Sequence, residues 1–235
     1  MKRFLLVLLL TMFIVACYQQ TSQNINPKKI ELKTSDDIKI SGIFRANQLN
    51  TTAVIFLHML NGKKEDWENL NNWTASRGYT TLAIDFRGHG ESQGDLKNFD
   101  ARDYKKMLLD VAAAKNFLKE KGYKKIAIGG ASIGANVALR YSASDPEIKK
   151  VVLFSPGENY KGITTLDVLN NYKGELYIFS PQQLEDENKF AFIMKDLFKG
   201  EKSLRVLNGD FGHGTKMIEN YNSNTYPDFE YYLRR

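Results

Sequence analysis

A serine between two glycines is the strongest chemical feature of the chain. Residues 130–134 read Gly-Ala-Ser-Ile-Gly, directly after an apolar stretch and directly before a stretch with helical character. A nucleophilic serine at a sharp strand-to-helix turn needs small flanking residues, because the chain passes close to itself there. The helix that follows favours negative charge developing near the serine oxygen. The pattern therefore predicts that Ser132 is a nucleophile, and a tight packing turn of small residues is the alternative.

A nucleophilic serine needs a base, and the chain has only three histidines. His58 and His89 precede the serine, whereas His213 follows it, between two glycines and after the last predicted strand. In a triad on a sheet of this kind the histidine lies downstream of the nucleophile at a strand end. We therefore predict that His213 is the general base and that His58 holds its loop in place. A structural hydrogen-bonding role for His213 is the alternative.

The oxyanion of an acyl-transfer intermediate needs two backbone N–H donors. One is expected from Ile133, because this residue directly follows the nucleophile. The second is expected from the loop after the predicted strand at residues 53–57, where Leu60 is the first candidate and Met59 the second. A backbone donor makes no demand on side-chain type, so this assignment rests on position in the chain.

The segments that must hold these residues alternate between strand and helix patterns. Short apolar runs predict buried strands, and amphipathic stretches that end at glycine predict helices. The expected elements are a hairpin of strands at 29–34 and 38–44, strands at 53–57, 80–84, 126–128, 151–154, 176–179 and 204–207, helices at 64–76, 101–121, 133–144 and 188–198, and two short terminal helices. This order predicts an α/β fold with a mostly parallel, twisted sheet, helices on both faces and an active site beyond the carboxyl ends of strands.

These motifs, in this order, resemble the α/β-hydrolase superfamily, in particular its small esterase-like and dienelactone-hydrolase-like members. The resemblance covers nearly everything from about residue 30 to residue 220. It rests on the serine and histidine motifs, on the His-Met-Leu loop at residues 58–60, and on the turn Asp-Phe-Arg-Gly-His-Gly-Glu-Ser at residues 85–92. It implies the α/β-hydrolase fold and a serine esterase, with Arg87 and His89 organising loops near the site.

Two departures from other members of the superfamily follow from the sequence. Only about twenty residues separate the predicted strands at 151–154 and 176–179, where many lipases insert a lid. We therefore expect no large lid domain and an open site. The dienelactone hydrolases use a cysteine nucleophile, whereas this chain has Ser132 in that position.

The third member of a triad is harder to place. The superfamily has an aspartate or glutamate shortly after the strand that ends here at Phe179. Residues 180–187 read Ser-Pro-Gln-Gln-Leu-Glu-Asp-Glu, and the usual position of the acid holds Leu184. Aligning the helix that follows suggests two extra residues, which makes Asp186 the predicted acid and Glu185 the next candidate. The alternative is that this acidic run only caps the following helix.

The N-terminus is predicted to be a targeting segment. Lys2 and Arg3 precede an apolar run that is short for a bilayer span and that ends in Ile-Val-Ala before Cys17, the only cysteine. This pattern resembles a bacterial lipoprotein signal, in which the cysteine receives fatty acyl chains such as palmitate and becomes the mature N-terminus. An ordinary cleaved signal and an uncleaved anchor are the alternatives. The expected organisation is a signal peptide at residues 1–16, a polar tether at 17–28 and an α/β-hydrolase domain at 29–235.

The lipoprotein resemblance also implies a location. Lipidated Cys17 would anchor the protein to a bacterial membrane in the cell envelope, facing the periplasm or the exterior. The polar residues after it would act as a flexible tether. Tyr18, rather than an aspartate, follows the cysteine, which favours the outer membrane in a Gram-negative host.

Composition excludes several other classes of function. The chain has 235 residues, 43% hydrophobic and 26% charged, which is typical of a globular domain. Without Lys2 and Arg3 it carries 31 basic and 27 acidic side chains, a balance that does not favour nucleic acid as a partner. Phosphate-loop and zinc motifs are absent from the sequence, so no cofactor and no metal is implied. The expected function is hydrolysis of a small-molecule ester, thioester or amide through an acyl-enzyme. A non-catalytic ligand-binding lipoprotein and an acyltransferase are the alternatives.

Overall fold

A computed structural model describes residues 26–47, 49, 51–209, 211–220 and 222–235 of the protein. The predicted signal peptide at 1–16, Cys17 and most of the predicted tether at 17–28 lie outside the described residues. The described chain forms an eight-stranded sheet with helices on both faces and a separate two-stranded hairpin. None of the helices in these described ranges is both long and apolar enough to cross a membrane.

The elements follow the order expected from the sequence. The strands are β1 (Lys28–Lys33), β2 (Lys39–Arg45), β3 (Thr52–Leu57), β4 (Thr80–Ile84), β5 (Lys125–Ala131), β6 (Lys150–Phe154), β7 (Asn159–Tyr160), β8 (Ile163–Thr164), β9 (Glu175–Pro181) and β10 (Lys202–Leu207). The helices are α1 (Glu68–Ser76), α2 (Ala101–Lys105), α3 (Met107–Glu120), α4 (Ile133–Ser144), α5 (Glu185–Leu197), α6 (Lys216–Asn220) and α7 (Asn222–Arg234). Short 3₁₀ turns occupy Lys64–Trp67, Leu96–Asn98 and Leu169–Asn171.

The predicted α/β fold is confirmed. The strand order of the large sheet is β1-β2-β4-β3-β5-β6-β9-β10, in which β2 pairs with β1 and β4 antiparallel and every later pair is parallel. The register places Leu57 beside Gly130 and Ala131 beside Phe154. The carboxyl ends of β3, β5 and β6 therefore meet at one edge of the sheet, where the predicted site residues follow them.

Strand β3 shows why the central strands are unbroken apolar runs in the sequence. Ile55 and Leu57 belong to the core on one face of the sheet, and Val54 and Phe56 belong to the core on the other face. Phe56 stacks on the buried Trp67 with ring centroids 5.0 Å apart. Because both faces of the sheet are covered, the side chains that point to either face are apolar, and the strand shows no alternation with polar residues.

The predicted helix at residues 101–121 is divided into α2 and α3. Asp100 caps α2 by accepting hydrogen bonds from the N–H groups of Arg102 and Asp103. At Lys106 the backbone has a ψ of −11°, and its carbonyl accepts from Leu109, three residues later, at 2.9 Å. Such a tightened turn interrupts the α-helix without a proline or glycine.

The connection between β6 and β9 differs from expectation in detail. Residues 155–174 are all described and form no large lid domain, as predicted, but they contain the small β7–β8 hairpin, which the sequence pattern does not indicate. Helix α5 begins at Glu185, three residues before the predicted start. Both differences change which side chains lie beside the site.

Candidate active site

Ser132 lies at a sharp turn between β5 and α4. Its φ of 54° and ψ of −120° are in a region that non-glycine residues rarely adopt. The N–H of Ser132 donates to the carbonyl of Phe154 at 2.8 Å, so the pairing of β5 with β6 continues into the turn. The side chain is largely enclosed, because Ser132 is only 6% exposed. This geometry is that of the sharp strand-to-helix turn, or elbow, that the glycine pattern predicts.

The two flanking glycines are required by contact. A Cβ at Gly130 would overlap the carbonyl oxygen of Gly134. A Cβ at Gly134 would overlap the carbonyl oxygen of Leu57 and lie 2.6 Å from that of His58. The first turn of α4 therefore packs directly on the end of β3. This approach brings the loop after β3, with Met59 and Leu60, next to the elbow.

His58 holds this loop and is fully buried. Its Nε2 accepts a hydrogen bond from the N–H of Phe86 at 3.0 Å, so its proton is on Nδ1, which donates to the carbonyl of Met59 at 2.7 Å. Burial, the main cause, lowers the pKa of His58 to about 4. The Met59 carbonyl also accepts from the N–H of Gly62 at 2.9 Å, which closes a tight turn. The histidine is therefore a neutral brace, in agreement with the sequence interpretation.

His213 is bonded to a carboxylate. Its Nδ1 lies 2.6 Å from Oε1 of Glu187, and both side chains are partly exposed. The next residue, Gly214, donates its N–H to the hydroxyl of Ser155 at 3.1 Å. A Cβ at Gly214 would lie 3.6 Å from that of Ala131 and 3.1 Å from the sulfur of Met59. The histidine loop is thus held against both the elbow and the predicted oxyanion loop.

The carboxylate partner of His213 is Glu187, and not the predicted Asp186 or its alternative Glu185. Both of those side chains are exposed on the first turn of α5. Glu187 lies four residues before the buried Ala191 and seven before the buried Met194, so it shares the helix face that packs on the core. In a helix that begins at residue 185, this spacing is the signal in the sequence that marks Glu187.

Two further residues at the site are not found from the sequence. Ser155 directly follows β6 with a φ of 51°, and its buried hydroxyl holds the loop of His213. Tyr160 lies on the β7–β8 hairpin, with its ring set edge-on to that of His213 and the two ring centroids 6.3 Å apart. Burial first, and then the charge of Glu187, raise the pKa of Tyr160 to about 12, so its hydroxyl is protonated at neutral pH.

The turn after β4 supports the site through buried ion pairs. Asp85 accepts hydrogen bonds from Nζ and from the backbone N–H of Lys64, each at 2.7 Å. Arg87 pairs with the fully buried Asp110 at 2.8 Å, and burial nevertheless raises the pKa of Asp110 to about 6. His89 contacts the carbonyl of Arg87, and burial lowers its pKa. Each of these groups has an internal partner, which fits the predicted loop-organising role of Arg87 and His89.

The described residues offer little to a metal ion. Across the parts of the chain that are placed, no three His, Cys, Asp or Glu side chains cluster closely enough to ligate one. The protein groups available for chemistry at this edge of the sheet are a hydroxyl at a strained turn, an imidazole held by a carboxylate, and backbone N–H groups near a helix start.

Comparison with known proteins gives consistent matches. The profile of the family described as Serine aminopeptidase, S33, matches residues 49–197, more than half of the chain. A carboxylesterase of Bacillus subtilis (strain 168) is 32% identical over 173 residues, which cover 71% of this chain and 67% of the relative. The esterase Pf2001 of Pyrococcus furiosus has a similar structure, with a TM-score of 0.75 at 23% identity over 90% of this chain and 91% of that one. The α/β hydrolase GrgF from Penicillium sp. sh18 gives a TM-score of 0.75 at 17% identity over 89% and 98%.

Proposed function

Since the chain belongs to the serine aminopeptidase S33 family of α/β hydrolases and is an enzyme of the esterase type, we propose that Ser132, His213 and Glu187 form its catalytic triad. The observation that carries the proposal is the 2.6 Å hydrogen bond between His213 and Glu187, on a loop packed against the Ser132 elbow. The residue roles follow from chemistry. Ser132 is the nucleophile, His213 is the base, and Glu187 fixes the tautomer of His213.

Acylation uses the unusual backbone of the elbow. The Ser132 oxygen attacks the ester carbonyl carbon while its proton passes to Nε2 of His213. Glu187 accepts the Nδ1–H bond and stabilises the imidazolium that forms. Backbone N–H groups of Ile133 and Leu60, with Met59 as the alternative to Leu60, hold the oxyanion. The intermediate collapses, the alcohol leaves with the proton from His213, and the acyl group stays on Ser132.

Deacylation repeats these steps with water. His213 takes a proton from a water molecule, whose oxygen attacks the acyl carbon, and the same N–H groups hold the second oxyanion. The bond to the Ser132 oxygen then breaks and His213 returns the proton to it. The products are a carboxylic acid and an alcohol, and no group outside the chain is consumed except water.

An ester is the proposed substrate for two reasons. The Bacillus subtilis relative is a carboxylesterase, and the described part of the chain here forms no large lid over the site. We place the enzyme with the small, dienelactone-hydrolase-like esterases, with serine in place of the cysteine nucleophile of the dienelactone hydrolases. The substrate is therefore proposed to be a small-molecule acyl ester.

The location of the enzyme is also a proposal. The sequence before the described residues supports cleavage after residue 16 and lipidation of Cys17, with attachment to a membrane of the cell envelope. Metabolic labelling with a palmitate analogue tests this directly. The label should enter the wild-type protein and be lost in Cys17→Ser, and labelling of neither protein would exclude the anchor.

Hydrolysis of p-nitrophenyl esters from acetate to palmitate by the full-length protein in detergent tests the catalytic proposal. Ser132→Ala should lower kcat/KM on the order of 10⁴-fold or more, because the nucleophile is removed. Ser144→Ala is the matched control, since Ser144 is exposed at the far end of the same helix and should keep full activity.

A fluorophosphonate probe gives the second readout of the same proposal. It should label wild type and Ser144→Ala but not Ser132→Ala. Equal hydrolysis by all three proteins, or no labelling of wild type, would overturn the proposal and leave a ligand-binding role. Adding an alcohol acceptor to the same assay separates hydrolysis from acyl transfer, because transfer gives a new ester in place of the free acid.

A further inference from the structure

A groove of about 480 Å³ lies at the amino ends of the central strands. Its wall includes the first residues of β3, β5 and β6 and the last residues of α7. Its basic side chains are Lys124, Lys125, Lys149, Lys150, Arg234 and Arg235. The candidate active site lies at the opposite edge of the sheet, since the length of β5, about 20 Å, separates the groove from the Ser132 turn.

Three of these lysines carry a charge that no nearby carboxylate balances. Lys124, Lys125 and Lys149 are exposed, and within the described ranges none of them forms an ion pair. Of the described residues that line the groove, only Glu147 is acidic, and its carboxylate already lies 2.6 Å from the Nζ atoms of two other lysines. The groove therefore has a net positive charge and attracts anions.

The other basic groups of the wall are fixed by internal partners. Lys150 donates from Nζ to the carbonyl of Tyr232 at 2.9 Å, which ties the start of β6 to the end of α7. Arg234 and Arg235 each pair with a glutamate. The wall thus consists of strand starts and a helix end that are bonded to one another, and the three exposed lysines supply its unbalanced charge.

Basic residues also occupy the other connections at this edge of the sheet, which we call the amino edge. The connections that lead into β4, β5, β6, β9 and β10 contain Arg77, Lys121, Lys124, Lys149, Lys173 and Lys199. Their acidic residues are Asp145, Glu147 and Glu201, and each of these three is in an ion pair. The positive charge therefore extends along the amino edge beyond the groove.

The edge that carries the candidate active site has the opposite charge. Between the β7–β8 hairpin and α5 its surface carries Glu158, Asp186 and Glu187 against one lysine, Lys189. An anionic surface therefore attracts the amino edge and repels the edge with the candidate active site. Such a surface would turn the molecule in one direction.

The described chain enters the sheet close to the amino edge. Strand β1 runs in the same direction as β4, because both are antiparallel to β2 between them. Through Phe44 of β2, the register places Lys28, the first residue of β1, level with Leu82, two residues after the start of β4. The chain therefore runs from this side of the sheet toward the candidate active site.

The distance to Cys17 permits contact between the amino edge and a membrane. Lys28 follows Cys17 by eleven residues, which span at most about 40 Å. Strand β6 lies five strand spacings from β1, or about 24 Å. A lipid on Cys17 would thus allow the groove to reach the bilayer surface, but it would not decide which edge faces the bilayer. The difference in charge between the two edges would decide this.

From these observations we propose that the amino edge binds the headgroups of anionic phospholipids and turns the candidate active site away from the membrane. The inference goes beyond the proposed esterase function, and it rests on the proposed attachment at Cys17 only for the way in which the protein reaches the bilayer. The exposed Lys124, Lys125 and Lys149 contact the headgroup phosphates. Substrate then reaches Ser132 from the aqueous side.

The orientation is tested with the full-length protein in vesicles of phosphatidylcholine, with or without phosphatidylglycerol. Once Cys17 is acylated, an introduced cysteine is the only thiol and takes a fluorophore. Lys121→Cys reports on the amino edge, although it removes one positive charge, and Gln182→Cys reports on the opposite edge, directly after β9. A nitroxide on the lipid headgroups quenches whichever fluorophore lies closer to the bilayer.

With about one third phosphatidylglycerol, quenching should be at least about twofold stronger at residue 121 than at residue 182. The two positions should be quenched about equally on phosphatidylcholine alone. They should also become equal when salt is raised to about 0.5 M, because screening shortens the range of the attraction.

Lys124→Glu combined with Lys149→Glu reverses two of the exposed charges. The difference in quenching should disappear, because each basic side chain near an anionic membrane contributes about fivefold in affinity. Lys97→Glu combined with Lys161→Glu is the matched control, since both lysines are exposed in connections at the opposite edge and the change in net charge is the same. This control should keep the difference. Circular dichroism shows independently of activity that both double variants are folded.

Equal quenching at the two positions on anionic vesicles, or an unchanged difference in the Lys124→Glu and Lys149→Glu variant, would overturn the proposal. Binding of inorganic phosphate by wild type without a difference in quenching would assign the groove to a soluble anion and overturn it as well. Failure of the ester assays leaves the quenching result unaffected.

Flotation with pure phosphatidylcholine vesicles reports separately on the lipid anchor. A protein that does not float with them lacks the anchor. In that case the proposal requires that wild type floats with anionic vesicles and that the Lys124→Glu and Lys149→Glu variant does not. Absence of flotation with both kinds of vesicle would overturn it.

Discussion

His58 and His213 both follow strands whose carboxyl ends meet at one edge of the sheet, yet their surroundings differ. His58 is fully buried, and both of its ring nitrogens are bonded to backbone, to Phe86 and to Met59. His213 is partly exposed, and its Nδ1 is bonded to the carboxylate of Glu187. One imidazole is fixed by neutral groups inside the core, and the other is fixed by a charged group at an open site.

The difference shows what makes a histidine suitable for proton transfer. Charging His58 would break its bond from the Phe86 N–H and place an imidazolium in the core, so its proton does not exchange during a reaction. A carboxylate on Nδ1 instead fixes the tautomer in which Nε2 is the proton acceptor. Both histidines follow strand ends, so position alone does not distinguish them. The hydrogen-bond partner of the ring determines whether the histidine is suited to holding a loop or to transferring a proton.

Substituting each histidine by glutamine should separate the two roles. His213→Gln should lower kcat/KM by about 10⁴- to 10⁶-fold, because the general base is lost, and change the free energy of unfolding by less than about 1 kcal/mol. His58→Gln should lower the free energy of unfolding by about 2 to 4 kcal/mol, because the replaced side chain is buried and both of its ring nitrogens are hydrogen-bonded. Ester hydrolysis and urea unfolding of both variants measure this.

The same pair of measurements can contradict the comparison. If His58→Gln removed activity as fully as His213→Gln while the protein stayed folded and stable, His58 would be part of the chemistry. A more moderate loss of activity is expected for His58→Gln, since the loop that carries Met59 and Leu60 loses its brace.

Glu187 and Asp186 offer a sharper test, because they are adjacent and only one faces His213. Glu187→Gln keeps the shape of the side chain and removes the charge, so His213 loses the partner that sets its tautomer. We expect kcat to fall about 10⁴-fold, by analogy with the aspartate-to-asparagine change in serine proteases. Asp186→Asn, one residue away and exposed, should stay within about twofold of wild type. The reverse result would assign the acid to Asp186 and make the Glu187 contact incidental.

The sequence is sufficient to predict the fold because its elements have strong local signals. The central strands are apolar runs buried on both faces, and Gly130 and Gly134 mark a turn that admits no larger residue. The histidine after the last strand is found because only three exist in the chain. These features depend on residues close to one another in sequence, which is where periodicity and motif spacing carry information.

The carboxylate bonded to His213 differs from the predicted acid because its position depends on where a helix begins. Because α5 begins at Glu185 and not at residue 188, Glu187 is part of the helix and lies on the face shared with Ala191 and Met194. An acidic run gives no local signal that distinguishes one carboxylate from the next. Hydrophobic periodicity also does not determine the residue at which a helix begins.

The position of Tyr160 beside His213 is not indicated by the sequence, for a different reason. The β7–β8 hairpin has two residues in each strand and is held by the side chain of Asn136, a contact across more than twenty residues of sequence. Strands this short carry no alternation pattern, and such a contact appears only when the chain is folded.

The smallest effect concerns the dependence of stability on pH. The pKa of His58 is lowered from 6.5 to about 4, chiefly by burial, with smaller contributions from the nearby His89 and Lys64. Its folded pKa lies below the unfolded value, so the unfolded state binds more protons between these two pH values. The stabilisation is complete above pH 6.5 and is lost as the pH falls toward 4, by about 3 kcal/mol in total.

The measurement is the change in free energy of unfolding between pH 7.5 and 4.5, compared for wild type and His58→Gln. Other groups titrate in this window: His89, whose pKa burial also lowers, is destabilising as the pH falls, whereas Asp110, whose pKa burial raises to about 6, is stabilising as the pH falls and opposes the histidines. Because both proteins share Asp110, its contribution cancels in the comparison. Wild type should lose about 2 to 3 kcal/mol more than the variant over this range. An equal loss in both proteins would mean that His58 is not held neutral by the fold, and the contrast with His213 would then rest on geometry alone.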